Sequence, residues 1–506
     1  MEFDVLRDLV QIITRNKVKQ IEVLGNPGLE ESRIDEFYDN IAKSRFQTDD
    51  DAARHFFGTD EKDPNYRKLR NRLIRQLINT SFFIDVNQPM FNERGKALYH
   101  CYRDYVAAYF LMTRDAHKAS VYLLQQVLEQ TIKFEFTELT ADICRMLRSQ
   151  YARTPGDPSN HDRYSPMHRL YEEKRYWEIK AFDYHENLIH YYISGRSTNE
   201  DIHEMASQYY SELLPKAIEI DTLQYYMFTY NVGVIKYLSV NNCSQTITIC
   251  DQALHILQNR RITNRGALLS FAIQKLACLT QLRIFDDGDK TAQYCLDLAV
   301  EGEYNWFRVL ETQFYYHMYT RQYNEALAVF EKVIQHPRYS VLSGSTRDMW
   351  TLHGGYLHLL AALGKLEPTE VAKVAGYYMP STSRYSNDFE ILDKEKEGMN
   401  IPLVLLPVLF SIARGNFEEE EYGRSVEALD KYRKRYLEND TNRRSAIFLK
   451  MILALSQKEF DGDRAKRKMQ KEWQLLQQEP PQIAGQSFAV EIIPYEDIWQ
   501  MLLEKQ

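Results

Sequence analysis

Apolar residues recur at helical spacing along most of the chain. One stripe, between Tyr66 and Phe83, is formed by Leu69, Leu73, Ile74, Leu77 and Ile78. A second stripe is formed by Val121, Leu124, Val127, Leu128 and Ile132. Residues three and four apart lie on the same face of an α-helix, so each stripe predicts an amphipathic helix with one buried face. The pattern therefore predicts a chain built almost entirely of helices.

Part of this pattern repeats at a fixed distance. Five positions have counterparts 34 residues later: Leu276, Arg283, Ala292, Leu296 and Ala299 correspond to Leu310, His317, Ala326, Phe330 and Val333. An earlier set precedes the first by 46 residues: Tyr230, Tyr237, Thr246, Cys250 and Ala253. We attribute the surplus to a longer loop around Gln258–Gly266. A period in this range predicts stacked helix pairs, which function by binding along their surface.

The segment Leu310–Pro337 resembles a tetratricopeptide repeat, through Tyr323, Ala326, Phe330 and Pro337. A small residue such as Ala326 allows two helices to approach closely, and the bulky Phe330 one turn later fills the groove beside the crossing. The resemblance covers residues 230–337. It departs from the family where the first helix usually carries a glycine, because Thr280 and Phe314 occupy those positions.

The resemblance implies an all-α fold, a right-handed α-solenoid of tetratricopeptide-like helix pairs that follows a helical N-terminal region. The remaining segments are assigned from helical periodicity and from clusters of turn-forming residues. We predict six regions: residues 1–95 as the helical N-terminal region, 96–153 as helical repeats, 167–215 as a helical connection, 216–340 as tetratricopeptide-like repeats, 347–478 as degenerate C-terminal helix pairs, and 479–506 as a tail. Within the tail we predict an extended stretch at Phe488–Ile493 and a final helix from Tyr495.

In tetratricopeptide repeats the first helices line a concave groove. The resemblance places six residues of this chain there: Asn231, Gln274, Gln281, Arg308, Glu311 and Tyr315. Family members that grip a peptide's terminal carboxylate use paired Lys and Asn residues at such positions. This chain has no matching set, so we do not expect binding of a chaperone tail.

Composition and charge fit a folded, water-soluble protein. Of the 506 residues 44% are hydrophobic and 26% charged, and the net charge of −8 argues against a surface built wholly for nucleic acid or anionic membrane. The apolar run Ile401–Ala413 is shorter than the ~20 residues of a membrane span and contains two prolines, so we predict a buried helix. The residues near Met1 lack the apolar core of an export signal, and the six cysteines are scattered. We expect reduced thiols and a cytoplasmic location.

A local excess of positive charge lies near the C-terminus. Between Asp430 and Lys471 there are 13 Lys or Arg and 6 Asp or Glu, a balance of +7. Helical spacing groups these cations into two basic faces: Arg464, Arg467, Lys468 and Lys471 in one, and Lys431, Lys434 and Arg435 in the other. The interpretations are a solvated surface, a contact for an acidic protein, or a contact for nucleic acid.

No local motif indicates catalysis or a cofactor. The chain has no GxxxxGK or GxGxxG phosphate loop and no GxSxG nucleophile turn. His185 and His190 are five residues apart, so they lie on different faces of a helix, and we expect no metal site there. The 35 tyrosines include five adjacent pairs, which serve either helix packing or partner contacts.

The sequence thus predicts a non-enzymatic scaffold or regulatory subunit that binds a protein or peptide through the concave surface of a helical-repeat array. It predicts no cofactor and no membrane association. The alternative is a ligand-responsive regulator whose basic C-terminal face contacts nucleic acid. The pattern leaves the identity of the partner and the oligomeric state open.

Overall fold

The structure is a computed structural model that describes most of the chain. The described residues are 3, 6, 7, 10, 29–43, 45–46, 48–82, 84–87, 92–153, 158–194, 199–376, 401–415, 420–436, 443–455, 466–479 and 491–505. Within them lie 22 α-helices, two short 3₁₀ helices and no strand. The predicted all-α class is confirmed. No helix in this part of the chain is long and apolar enough to cross a membrane.

The chain divides into two units, Met1–Arg175 and Tyr176–Gln506. The division falls inside a helix of 37 residues, α7. The helices up to this point are α1 (Leu29–Ala42), α2 (Asp49–Phe57), α3 (Pro64–Ser81), α4 (Glu93–Thr113), α5 (His117–Lys133), α6 (Thr137–Arg153) and α7 (Pro158–Ser194).

The second unit continues with fifteen further helices in the described residues. They are α8 (Asn199–Leu213), α9 (Ala217–Ile220), α10 (Leu223–Leu238), α11 (Cys243–Gln258), α12 (Arg265–Gln281), α13 (Phe285–Leu298), α14 (Tyr304–Tyr319), α15 (Tyr323–Ile334), α16 (Gly344–Ala362), α17 (Pro368–Ala375), α18 (Ile401–Arg414), α19 (Glu420–Tyr436), α20 (Arg443–Leu455), α21 (Gln470–Gln478) and α22 (Tyr495–Glu504). The predicted final helix is confirmed as α22. Of the predicted extended stretch, residues 488–490 lie outside the described residues, and residues 491–493 belong to a loop.

In the first unit, a buried carboxylate joins two helices of the N-terminal region. The Tyr66 hydroxyl donates to Oδ1 of Asp49 at 2.5 Å, and Arg70 donates to the same oxygen at 3.1 Å. Burial raises the pKa of Asp49, and the hydrogen bond from Tyr66 opposes that rise. The arrangement ties α2 to α3 beside an apolar core that contains Phe37 and Leu73.

In the second unit, the two helices within each of four successive pairs are joined by the same tight turn. One residue in each turn has a left-handed backbone, with φ of 53° at Asn241, 57° at Arg283, 60° at Arg321 and 74° at Gly364. The next residue donates its N–H to a carbonyl five residues earlier, at 2.8 to 3.0 Å in all four turns. This arrangement satisfies carbonyl groups at the helix end and reverses the chain within a few residues.

The spacing between these turns differs from the predicted period. Arg283 and Arg321 occupy equivalent turns and are 38 residues apart, whereas Asn241 and Arg283 are 42 apart. The predicted steps of 34 and 46 each differ from these by four residues, which is about one helical turn. An amphipathic pattern looks nearly the same after a shift of one turn, so the middle repeat was placed one turn out of register. Its small residue at the helix crossing is Gly288, equivalent to Ala326.

The packing predicted around Ala326 and Phe330 is present. Both residues are buried, and the Phe330 ring lies against the backbone of Gly354 in α16, where a Cβ atom would be 3.1 Å from its Cζ. The ring centroid also lies 6.0 Å from that of Trp350. The predicted buried helix at Ile401 is α18, and the Tyr356 hydroxyl donates to its Pro402 carbonyl at 3.1 Å.

Candidate functional site

The predicted groove residues fall into two groups. Asn231, Gln274, Arg308 and Glu311 keep partial access to solvent on α10, α12 and α14. Glu311 is nevertheless strongly desolvated: the surrounding protein raises the pKa of its carboxyl to about 7, with Arg308 acting in the opposite direction. The carboxyl is therefore less hydrated than the solvent access of the residue alone indicates. Gln281 and Tyr315 are buried.

Tyr315 lies between helix layers. Its hydroxyl shares a hydrogen bond of 2.9 Å with Nε2 of His353 on α16. The His353 ring also stacks on Phe314, with centroids 4.5 Å apart, and stands edge-on to Trp350 at 4.9 Å. His353 is fully buried, and this burial lowers its pKa to about 3. The cluster joins two repeats and does not bring Tyr315 to the surface beside Glu311.

Gln281 serves the turn at the end of its helix. Its amide nitrogen donates to Oδ1 of Asn241 at 2.6 Å, and its amide oxygen accepts from the Cys243 thiol at 2.9 Å. The register shift explains this placement. In the observed register, Gln281 is equivalent to Tyr319, whereas the residue of α12 equivalent to Glu311 is Ile273.

The cations of the two predicted basic faces differ in their contacts with neighbouring side chains. Lys431 and Lys434 each pair with a carboxylate one turn earlier, at 2.7 Å from Glu427 and Asp430 respectively. Three further cations are exposed at the start of α21 and just before it: Arg467, Lys468 and Lys471. Arg464 and the side chain of Arg435 lie outside the described residues.

Sequence reasoning missed the position of the C-terminal helix. α22 runs along the turns of three successive helix pairs, and three ion pairs join it to them: Glu496 to Arg283 at 3.8 Å, Asp497 to Arg321 at 2.6 Å, and Glu504 to Lys365 at 2.9 Å. Glu504 follows the other two acidic residues by about two helical turns, so all three lie on one side of the helix. The acidic residues on one side of this helix and the cation in each of the three turns could have indicated this contact from the sequence.

A buried arginine anchors the segment that precedes α22. Arg444 binds both carboxylate oxygens of Glu491, with Nε–Oε1 at 2.5 Å and Nη2–Oε2 at 3.1 Å. Its remaining donors bind Glu496 at 2.6 Å and the carbonyls of Leu476 and Glu479, both at 2.7 Å. All five N–H donors of the guanidinium therefore have acceptors. The arrangement fixes α20, α21 and α22 together.

A cavity of about 530 Å³ lies where α22 meets the turns. It is lined by Gln281, Leu282, Arg283, Arg321, Trp473, Gln477, Gln478, Glu479, Glu496, Asp497 and Gln500. Nine of the eleven lining residues have polar or charged side chains, and they come from four separate segments of the second unit. Among these residues, only Gln281 was selected from the sequence as a site residue.

The described residues contain no group of three or more His, Cys, Asp or Glu side chains that could hold a metal ion. Comparisons with protein-family models, with curated proteins and with solved structures found no match. Function must therefore be argued from the geometry of the second unit.

Proposed function

We propose that the second unit binds a protein or peptide partner, without catalysis, through the face formed by the first helices of its repeats. In this proposal the pairs α10–α11, α12–α13, α14–α15 and α16–α17 form a right-handed solenoid of tetratricopeptide-like repeats. The protein then acts as a scaffold or a regulatory subunit. A preformed binding face loses little conformational entropy when a partner binds, and this favours affinity.

The observation that carries this proposal is the state of Arg308 and Glu311. Both side chains are partly accessible, yet desolvation raises the pKa of Glu311 to about 7. Burial of a polar group without a partner is unfavourable, and an incoming N–H or O–H group offsets that cost. Depressions with a few convergent polar groups are the usual form of a binding site. Asn231 and Gln274 extend the same kind of surface along α10 and α12.

Site-specific photo-crosslinking in the native cell tests this function. A photoreactive residue replaces Asn231 or Glu311 in one set of chains and the exposed Lys373 of α17 in a control chain. We expect a discrete crosslinked partner from Asn231 and Glu311 and none from Lys373. Equal crosslinking at all three positions, or none at any of them, would contradict a binding face on the first helices.

The exposed cations beside α21 support a second candidate function. Arg467, Lys468 and Lys471 are solvent-exposed, and three cations together can contact a phosphate backbone. In this alternative the protein is a ligand-responsive regulator that touches nucleic acid with its basic C-terminal face. Binding to a fluorescent DNA duplex should weaken steeply with salt. The triple change Arg467→Glu, Lys468→Glu and Lys471→Glu should abolish it, whereas the control Lys290→Glu on α13 should not.

We also place this role in the cytoplasm. All six cysteines are buried free thiols, which supports a reducing compartment. Fractionation of the native cells tests this location. We expect the chain in the soluble cytoplasmic fraction, and its recovery in another fraction would contradict the proposal.

A further inference from the structure

The cavity between α22 and the repeat turns is distinct from the proposed partner-binding face. Its volume of about 530 Å³ lies within the range of small-molecule sites, roughly 300 to 1,000 Å³. Its walls come from the ends of α12 and α14 and from α21 and α22. The three glutamines Gln477, Gln478 and Gln500 are exposed at this site and offer both donors and acceptors.

The charges in the cavity wall and those of its immediate partners balance. Each of the three lining carboxylates has an arginine partner: Glu479 with Arg443 at 3.4 Å, Glu496 with Arg444 at 2.6 Å, and Asp497 with Arg321 at 2.6 Å. Arg283 is the fourth arginine of this group. Arg444 also binds Glu491, so the wall and its immediate partners carry four negative and four positive charges. The balance favours a ligand without net charge, such as a zwitterion.

Arg283 forms only a long ion pair with Glu496 and is placed to receive the negative group of such a ligand. Its Nη2 lies 3.8 Å from Oε2 of Glu496, which is beyond hydrogen-bonding distance. Its guanidinium makes no hydrogen bond to any residue that the structure describes, and 39% of the side chain is exposed. A guanidinium is a planar group of donors that matches the two oxygens of a carboxylate.

Asp497 supplies an acceptor in the same wall. The residue is 2% exposed, and its Oδ1 accepts from Arg321 at 2.6 Å. Its other oxygen, Oδ2, is buried and has no hydrogen-bond partner among the described residues. Buried acceptors are rarely left unsatisfied, so this oxygen calls for a donor from a bound molecule. The cavity thus contains a guanidinium with unused hydrogen-bond donors and an unsatisfied acceptor.

We propose that this cavity binds an α-amino-acid-like ligand, with its carboxylate on Arg283 and its adjacent nitrogen donating to Oδ2 of Asp497. The apolar surfaces of Leu282 and Trp473 contact the ligand's side chain, and the glutamines bind its polar atoms. Two sources share this chemistry, a free amino acid and the C-terminal residue of a peptide.

Isothermal titration calorimetry on the full chain tests the proposal. The probes are the standard free L-amino acids, the C-amidated form of the tightest binder, and a tripeptide that ends in the same residue. We expect saturable binding of the carboxylate-bearing probes. The amide should bind at least about tenfold more weakly than the free acid, since one charge-assisted hydrogen-bonded contact is lost. Tighter binding of the free amino acid identifies that source, and tighter binding of the tripeptide identifies a peptide terminus.

Two variants locate the ligand. Arg283→Gln should weaken binding by about tenfold or more without changing the unfolding midpoint, whereas the exposed Arg347→Gln on α16 should leave the affinity unchanged. A change of tryptophan fluorescence on ligand addition should disappear in Trp473→Phe.

The proposal is overturned if no probe binds the wild-type chain, in which case Oδ2 of Asp497 binds water only. Unchanged affinity in Arg283→Gln overturns it as well. Neither outcome affects crosslinking at Asn231 and Glu311, so this proposal and the proposed function fail independently.

Discussion

Arg321, in the turn between α14 and α15, donates to Oδ1 of Asp497 at 2.6 Å, although 176 residues separate them in the sequence. Asp497 is buried and Arg321 is more than half exposed, so the pair stands at the edge of the α22 interface. Lys365 and Glu504 form a second pair on the same helix, but both of these side chains keep access to solvent. The two pairs allow burial to be compared within one interface.

Loss of the Arg321 pair should destabilise the second unit. Arg321→Gln leaves a buried carboxylate without its cation, and we expect a loss of about 2 kcal/mol in the free energy of unfolding. Lys365→Gln should produce no measurable change, because solvent-accessible ion pairs contribute little. Urea denaturation followed by circular dichroism measures both. Equal effects of the two substitutions would contradict the importance of burial here.

Gly288 should not tolerate a side chain. A Cβ atom there would lie 2.6 Å from Cε2 of Tyr316, whose hydroxyl is held by Asp289 at 2.7 Å and by the Phe285 carbonyl at 3.0 Å. We expect Gly288→Ala to destabilise the protein by about 1 to 3 kcal/mol. Urea denaturation midpoints measure the change.

Gly423, in the first turn of α19, is the matched control. Nothing lies within 4 Å of the position of its Cβ atom, and it is exposed. Gly423→Ala should stabilise the protein by up to about 1 kcal/mol, since alanine is the better helix former. The same sign of change in both glycine variants would argue against the corrected register.

The helices were predictable because their periodicity is a local property of the sequence. The register was not, since an amphipathic stripe shifted by one turn still fits the template. Gly364 marks its turn, but Arg283 and Arg321 adopt the same left-handed backbone without being turn-forming residues. This is why Gln281 was assigned to the groove while it binds Asn241 and Cys243 beside the turn.

From the sequence, candidate site residues could be selected only where they lie on a single helix. Arg308 and Glu311 keep partial access to solvent on α14, and their place in a groove stays a prediction. The cavity instead joins α12, α14, α21 and α22, and its lining residues are spread from Gln281 to Gln500. No local pattern marks such long-range pairing, and the buried Arg444 resembled its exposed neighbours in the sequence.

Replacement of Arg444 should destabilise the second unit more than replacement of its other cations. Its guanidinium and the Glu491 carboxylate are 3% and 1% exposed, and removal of one partner leaves the other charged and buried. We expect Arg444→Met to cost about 3 to 5 kcal/mol in the free energy of unfolding. Arg443→Met, at the exposed neighbouring position, should change little. The comparison uses urea denaturation at neutral pH.

The fully buried His353 should make stability depend on pH. Burial lowers its pKa in the folded protein to about 3, while the ordinary value of 6.5 applies to the unfolded chain. Between these values the unfolded chain binds a proton that the folded protein does not bind. The contribution of the neutral, buried His353 to the free energy of unfolding is therefore complete above pH 6.5. It is lost progressively as the pH falls towards 3.

Between pH 6.5 and pH 5 this difference should reduce the free energy of unfolding by about 2 kcal/mol, since each pH unit contributes roughly 1.4 kcal/mol. The double variant Tyr315→Phe, His353→Leu removes both partners of the hydrogen bond and should lose this part of the pH dependence. His55→Leu, at an exposed position in the first unit, should retain it. Urea denaturation at a series of pH values measures the slopes. If wild type and double variant lose stability in parallel, His353 is protonated in the folded protein, and its burial does not control the acid response.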